Sequence, residues 1–270
     1  MAIRVLLPKL SLFGLPMGLT MRWAKAAGFA GLELLAVRMI MKHLPRIAGW
    51  AEQLGLVLHL HQPWSLSENS TYAHNRVLSA VGYLPQDGYQ INDLVPPETP
   101  QPLVIYADRF RDAITLSNRW IQTVSVFQRG RDGRFTYQLP YRQFVEVVLK
   151  HNLPVVFDTQ HFLEYSIGVQ GVEKLSSDPR LLFRQLSKGW ETLRHLVREI
   201  HLNDFNPMLG HTRGRNVFPG TGIVPLAGFM QLVRRSGWQG TVVPEVAPRH
   251  LFGRHALTHL RRRVGEFIEE

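Results

Sequence analysis

The chain has 270 residues, 45% of them hydrophobic, and Lys and Arg exceed Asp and Glu by ten. This length fits one α/β barrel, which needs ~250 residues, and excludes a small module. The absence of cysteine excludes disulfides, a thiolate nucleophile and a cysteine-ligated metal.

The first residues are apolar and basic, but Pro8 and Lys9 interrupt them and no small-residue cleavage site follows. They therefore predict a first strand rather than a signal peptide. No apolar run approaches the ~20 residues that a membrane span requires. We expect a cytoplasmic protein without a membrane partner.

Short apolar strands alternate with helical stretches along the chain. The predicted strands are 3–7, 31–35, 56–61, 103–106, 122–127, 155–157, 199–202 and 241–245. Several are continuous apolar runs, as expected for parallel strands that are covered on both faces. Eight such strands with helices between them predict a single (β/α)8 TIM barrel over residues 1–270.

Apolar residues at helical spacing predict two helices near the end of the chain. Their stripes are Leu226, Phe229, Met230 and Val233, and then Leu257, Leu260, Val264 and Phe267. The basic residues between 249 and 263 then fall on a solvated face. Pro45 predicts a kink or break in an earlier helix. The proline-rich segment 84–102 predicts a long excursion before the fourth strand.

Polar residues repeatedly end these apolar strands. They are Glu33, His59, His61, Asp158, His161, His201, Asp204 and Glu245. In a (β/α)8 barrel the carboxyl ends of the strands surround one mouth, where active sites are built. A single histidine is more often a structural residue than a ligand, but buried carboxylates need partners, and a metal ion is one. The joint pattern therefore favours a metal or catalytic site over a purely structural cluster.

Five stretches resemble the xylose isomerase-like barrel superfamily, which includes sugar and sugar-phosphate isomerases and epimerases and the AP endonuclease family 2 enzymes. They are Ala27-Gly28-Phe29-Ala30-Gly31-Leu32-Glu33, His61-Gln62-Pro63-Trp64, Phe157-Asp158-Thr159-Gln160-His161, Ile200-His201-Leu202-Asn203-Asp204, and Gly220-Thr221-Gly222 through Glu245. The last stretch is the most specific of the five.

The resemblance implies one divalent metal ion, Mn²⁺, Zn²⁺, Co²⁺ or Mg²⁺, held by residues from strands five to eight. Asp158, His201 and Glu245 match three of the four ligands, and Gln128 stands where the family has a glutamate. An amide oxygen can still ligate a metal, but it cannot act as a base. Dehydration, or proton transfer by a single residue, therefore fits better than epimerisation by two bases.

The remaining polar residues at the predicted mouth also have expected roles. Glu245 and His161 are the candidates for acid–base catalysis, and Glu33, His61, Trp64 and Arg215 for substrate contacts. The expected substrate is a small sugar, polyol or sugar phosphate.

Two other functions stay open. The excess of basic residues favours anionic partners, so an endonuclease IV-like nucleic-acid-binding or repair protein is one alternative. Tyr106, Gly214 and Asn216 stand where that branch has further zinc ligands, which counts against it. The other alternative is a degenerate barrel that binds a ligand without catalysis.

Overall fold

The computed structural model describes residues 3–8, 16–63, 95–125, 127–129, 135–169, 171–251 and 253–269. The strands are β1 (Arg4–Pro8), β2 (Gly31–Leu35), β3 (Val57–His61), β4 (Leu103–Ile105), β5 (Arg119–Gln122), β6 (Phe127–Arg129), β7 (Phe135–Tyr137), β8 (Val155–Asp158), β9 (Val197–His201) and β10 (Thr241–Val243). All of them except β6 and β7 form one closed parallel barrel, in the order β1-β2-β3-β4-β5-β8-β9-β10. This confirms the predicted (β/α)8 barrel.

The helices are α1 (Met17–Ala26), α2 (Arg38–Lys42), α3 (Leu44–Gln53), α4 (Phe110–Thr115), α5 (Tyr141–His151), α6 (Thr159–Ile167), α7 (Pro179–Leu193), α8 (Gly210–Arg213), α9 (Leu226–Arg235) and α10 (Gly253–Glu269). The predicted apolar stripes of α9 and α10 are buried. The predicted break at Pro45 is also confirmed, because α2 ends before it and Pro45 lies in the first turn of α3. In the part of the chain that is described, no helix is long and apolar enough to cross a membrane.

The strands that carry the polar residues are in register at their carboxyl ends. Asp158 on β8 lies opposite His201 on β9, and His201 lies opposite Val243 on β10. Side chains alternate between the two faces of a strand, so Glu199 points to the same barrel interior as His201. The barrel thus brings several polar side chains to one end and one face.

Aromatic packing behind β8 fixes the strand that ends at Asp158. Phe157 stacks on Phe162 of α6 and Phe229 of α9, with ring centroids 4.7 and 5.4 Å apart, and meets the edge of Trp190 of α7 at 5.9 Å. Phe157 points away from the barrel interior, so Asp158, the next residue, points into it.

The prediction of strand five is wrong in its bounds. The strand runs over 119–122 rather than 122–127, and β6 and β7 instead form an antiparallel pair outside the barrel. The strand begins with Arg119, whose fully buried guanidinium donates to the backbone carbonyls of Val95 and Pro96. The strands were predicted from runs of apolar residues, and a charged residue such as Arg119 does not belong to such a run. Of the predicted excursion 84–102, residues 84–94 lie outside the described part.

Two helical glycines give opposite predictions for the same substitution. A Cβ at Gly189 in α7 would lie 2.1 Å from the Phe162 ring, whereas a Cβ at Gly49 in α3 would have nothing within 4 Å. Alanine favours a helix over glycine by about 1 kcal/mol, while overpacking costs about 1–3 kcal/mol. We expect Gly189→Ala to lower the free energy of unfolding by about 1–3 kcal/mol and Gly49→Ala to raise it by about 0.5–1 kcal/mol. Chemical denaturation of both variants measures this, and a Gly189→Ala protein at least as stable as Gly49→Ala contradicts the packing.

Candidate functional site

His201 lies at the centre of the polar cluster and is fully buried. Its Nδ1 is 3.1 Å from Glu245 Oε1 and 3.7 Å from Asp158 Oδ2. Its Nε2 is 3.1 Å from both Glu33 Oε2 and Glu199 Oε1. The imidazole ring therefore separates two groups of carboxylates, one at each nitrogen.

Asp158 is held by hydrogen bonds to both of its carboxylate oxygens. Oδ1 accepts from the backbone N–H of His161 at 2.8 Å, so Asp158 caps the start of α6. Oδ2 accepts from Gln122 Nε2 at 3.0 Å and from Asn203 Nδ2 at 3.1 Å. Burial opposes ionisation, but the charge of His161 and the contact with His201 keep the pKa of Asp158 below its usual value.

Glu245 follows β10 and is the most accessible carboxylate around His201, with 13% of its side chain exposed. Its Oε2 accepts hydrogen bonds from Asn203 Nδ2 at 2.7 Å and Asn216 Nδ2 at 3.3 Å. Burial raises its pKa, but His201 outweighs burial and lowers it. Glu245 is thus an ionised, oriented carboxylate that solvent or a ligand can reach.

His61 has its tautomer set by the backbone. Its Nδ1 lies 2.6 Å from the carbonyl oxygen of Gln62, and a carbonyl can only accept, so Nδ1 carries the proton. Burial lowers the pKa of this imidazole, which favours the neutral ring with a lone pair on Nε2. The ring stacks on His201 with centroids 5.5 Å apart. A neutral histidine oriented by a backbone carbonyl is typical of metal ligands.

Glu33 and Glu199 lie on the other side of His201 and differ in their surroundings. Glu199 Oε2 is 2.5 Å from His59 Nδ1. The two histidines outweigh burial and lower the pKa of Glu199. Burial raises the pKa of Glu33 to about 8 despite His201. Its Oε1 is buried without a hydrogen-bond partner among the described residues.

A second polar group lies beside the cluster, where Glu164 joins His161 to Arg215. Arg215 Nη2 contacts Glu164 Oε1 in a tight ion pair, and His161 Nδ1 is 3.4 Å from Glu164 Oε2. Glu164 is buried, whereas 28% of the His161 side chain and 20% of the Arg215 side chain are exposed. The imidazole and the guanidinium are therefore accessible, and the carboxylate between them orients both.

Four side chains of the cluster could together hold a metal ion. One ligand atom from each of Glu33, His61, His201 and Glu245 lies within 4.8 Å of the others. Gln122 Oε1, at the end of β5, is buried without a hydrogen-bond partner among the described residues, as is Glu33 Oε1. Buried acceptors without donors, among several carboxylates, are the surroundings that a cation stabilises.

Two of the predicted site residues are not brought into this cluster. Gln128 lies in β6, where it pairs with Thr136 rather than ending a barrel strand. Its side chain is outside the described part of the structure, as is the whole of Trp64. Their predicted roles stay predictions.

Asp204, singled out from the sequence for chemistry, instead fixes the loop with the Gly-Thr-Gly turn. Its carboxylate accepts from the backbone N–H groups of Phe205, Gly220, Gly222 and Val224 at 2.9–3.1 Å. A Cβ at Gly222 would lie 2.2 Å from Asp204 Oδ1, which explains the second glycine of the turn.

Sequence reasoning missed several residues that contact the site, among them Asn203, which donates to Asp158 and Glu245. Gln122 was missed because the fifth strand was predicted to begin at this residue, whereas the strand ends there. Glu199 carries a signal, because it stands two residues before His201 on the same strand and so shares its face. Glu164 stands three residues after His161 on α6, a spacing at which helical side chains meet.

Comparison with known proteins relates the second half of the chain to one family. The sequence pattern of the "Xylose isomerase-like TIM barrel" family matches residues 134–263. A search of proteins with curated functions gives no match.

Solved structures with the same fold cover nearly the whole chain. A xylose isomerase domain protein from Alicyclobacillus acidocaldarius is 17% identical, with a TM-score of 0.61 over 99% of both chains. The 3-keto-D-glucoside 4-epimerase of E. coli is 12% identical, with a TM-score of 0.62 over 99% of this chain and all of the other. The IolI protein, solved with a bound zinc atom, is 12% identical, with a TM-score of 0.59 over 99% of this chain and 98% of the other.

At such identities the structural likeness establishes the fold alone. The sequence match and the closed eight-stranded barrel agree on the assignment. Residues 134–263 therefore carry the sequence pattern of the xylose isomerase-like TIM barrels, and the described residues form the closed eight-stranded barrel.

Proposed function

We propose that this chain is a metal-dependent enzyme that moves a proton next to a carbonyl group of a small sugar or polyol. The observation that carries the proposal is the arrangement around His201, which has Glu245 and Asp158 at Nδ1 and Glu33 and Glu199 at Nε2. Asp158, Glu199 and Glu245 have lowered pKa values and are ionised, and one buried imidazole cannot offset three negative charges. A divalent cation would supply the missing positive charge.

The donor atoms on the Nδ1 side of His201 fit such a cation best. Asp158 Oδ2 and Glu245 Oε1 lie 3.7 and 3.1 Å from Nδ1, and the Gln122 amide nitrogen lies 3.2 Å from it. Rotation of this amide would turn its unpartnered Oε1 toward the same space. We assign the metal to Asp158, His201 and Glu245, with Gln122 in the position first given to Gln128. Mixed carboxylate, imidazole and amide ligands suit Mn²⁺, Zn²⁺, Co²⁺ or Mg²⁺.

When bound, the ion would polarise a carbonyl or hydroxyl oxygen of the substrate. Glu245 would exchange the proton on the adjacent carbon, because it is ionised, partly exposed and oriented by Asn203 and Asn216. His161 is the second acid–base candidate, since Glu164 holds its Nδ1 and its ring is partly exposed. The neutral Gln122 at the end of β5 favours a reaction with one carboxylate base, such as a dehydration.

The pairing of Arg215 with Glu164 favours an uncharged substrate. Its guanidinium is already paired with the buried Glu164, so little net positive charge remains for a phosphate group. Arg215 and His161 would instead donate hydrogen bonds to hydroxyl oxygens. The E. coli relative with the same fold is a 3-keto-glucoside epimerase, which supports sugars as the substrate class here.

Metal content tests the site directly. We expect protein purified without chelator or affinity tag to hold about one equivalent of Mn, Zn or Co, and Asp158→Ala/Glu245→Ala to lose it. A matched control is Glu146→Ala/Glu191→Ala, which removes two carboxylates that are exposed on helices and should keep the metal. Elemental analysis measures the metal content of all three proteins. A wild-type protein without metal even after reconstitution, or a Asp158/Glu245 variant that keeps it, contradicts the assignment.

Glu245→Gln tests the proposed proton transfer. General acid–base catalysis contributes about 10²–10⁴-fold to a rate, so we expect kcat to fall by that range on a substrate found by screening sugars and polyols. Circular dichroism and metal content are measured on the same samples. Glu146→Gln is the control and should turn over normally. Unchanged turnover by Glu245→Gln would exclude the role given to this residue.

The raised pKa of Glu33 predicts how the stability of the metal-free protein depends on pH. Folding raises the pKa of its carboxyl group from 4.5 to about 8, so the folded state binds a proton that the unfolded state has lost. The contribution of Glu33 to stability therefore falls as the pH rises from about 4.5 to about 8. Glu33→Gln removes this effect, and we expect it to gain stability relative to wild type between about pH 5 and about pH 8.5. Chemical denaturation in EDTA gives the free energy of unfolding of both proteins. A difference between the two proteins that does not change with pH would contradict this role of Glu33.

A further inference from the structure

We propose that Glu199, held by His59, is a positioning residue that orients His201 and fixes its tautomer so that Nδ1 is presented to the metal. This inference rests on the proposed metal site. It assigns a role to the buried Glu199–His59 contact, which lies behind His201 as seen from the proposed ligands.

Glu199 is placed for this role by the strand itself. It precedes His201 by two residues on β9, and both side chains are fully buried. Its Oε1 lies 3.1 Å from His201 Nε2. A carboxylate without a proton can only accept, so this contact requires a proton on Nε2. Nδ1 likewise faces the carboxylates of Asp158 and Glu245. A metal bound there would displace the proton on Nδ1 and leave the one that Glu199 holds on Nε2.

His59 fixes the second oxygen of the same carboxylate. Its Nδ1 lies 2.5 Å from Glu199 Oε2, and its ring meets the edge of Trp120 with centroids 5.0 Å apart. Glu199 is thus held at two points, by one histidine from β3 and one from β9. Glu33 also reaches His201 Nε2, but its other oxygen has no hydrogen-bond partner among the described residues. Of the two carboxylates, Glu199 is the one whose orientation is determined.

A purely structural role does not require this pair. Burying a carboxylate costs several kcal/mol, and apolar residues of similar volume often stabilise a core equally well. Carboxylates that accept from the distal nitrogen of a metal-bound histidine orient its ring and increase its basicity, and their loss costs about 10–100-fold in metal affinity. The position of Glu199 behind His201 matches that arrangement.

The test compares metal affinity in two Glu199 variants and one control. Glu199→Gln keeps the volume and an acceptor oxygen but loses the charge, and Glu199→Leu also removes the acceptor. Thr241→Val is the matched control, because Thr241 is buried opposite Glu199 in the barrel and its hydroxyl has no partner among the described residues. Titration with Mn²⁺ and Co²⁺ gives Kd, and circular dichroism reports folding.

We expect Kd to rise about 10-fold in Glu199→Gln and about 100-fold in Glu199→Leu, and to stay within twofold in Thr241→Val. If Glu199→Leu does not fold, Glu199→Gln alone decides. A folded Glu199→Gln protein with a Kd within twofold of wild type would overturn the inference, as would an equal loss in Thr241→Val. A wild-type protein that binds neither metal would instead overturn the proposed function, which separates the two failures.

Discussion

The site depends on one electrostatic constraint, the accumulation of carboxylates around a buried imidazole. Glu33, Asp158, Glu199 and Glu245 all lie within 3.1–3.7 Å of His201. Burying ionised groups is unfavourable unless charge and hydrogen bonds offset the loss of solvent. The surrounding side chains supply such hydrogen bonds. The amides of Gln122, Asn203 and Asn216 all donate to carboxylates of the cluster.

The barrel creates this accumulation because its strands are parallel and in register. Five of the barrel strands, β2, β3, β5, β8 and β9, deliver one or two side chains each to the site. The register places Asp158 beside His201 and His201 beside Val243, which aligns three neighbouring strands. The loop after β9 then completes the site, because Asn203 bridges Asp158 and Glu245. Asp204 holds that loop through four backbone N–H groups. Fold and site are therefore coupled through two adjacent residues, one at the site and one behind it.

The sequence predicts the barrel because eight short apolar strands alternate with helices and five of them carry polar residues at or near their carboxyl ends, which is the pattern of parallel strands around a mouth. It locates Asp158, His201 and Glu245 for the same reason. It does not locate Gln122, because β5 begins with Arg119, a charged residue buried by hydrogen bonds to backbone carbonyls that are distant in sequence. Likewise, only the folded loop distinguishes Asp204, which binds backbone N–H groups, from a residue available for chemistry.

Glu199 and Glu164 are two site residues that a search for polar residues at strand ends does not find. Both carboxylates contact histidines of the site from behind, one within β9 and one on α6. Their spacing from those histidines is visible in the sequence, but the partners that fix their orientation, His59 and Arg215, come from distant parts of the chain. Tertiary contacts therefore determine which carboxylates orient a ring and which face the mouth.

The most direct test of the central claim is anomalous diffraction from crystals grown with Mn²⁺ or Zn²⁺. We predict one peak on the Nδ1 side of His201, about 2.0–2.2 Å from His201 Nδ1 and from oxygens of Asp158 and Glu245, with the Gln122 carbonyl turned toward it. A peak on the Nε2 side, between Glu33 and Glu199, would contradict the assigned ligands. Absence of any peak at the mouth would contradict the metal site itself.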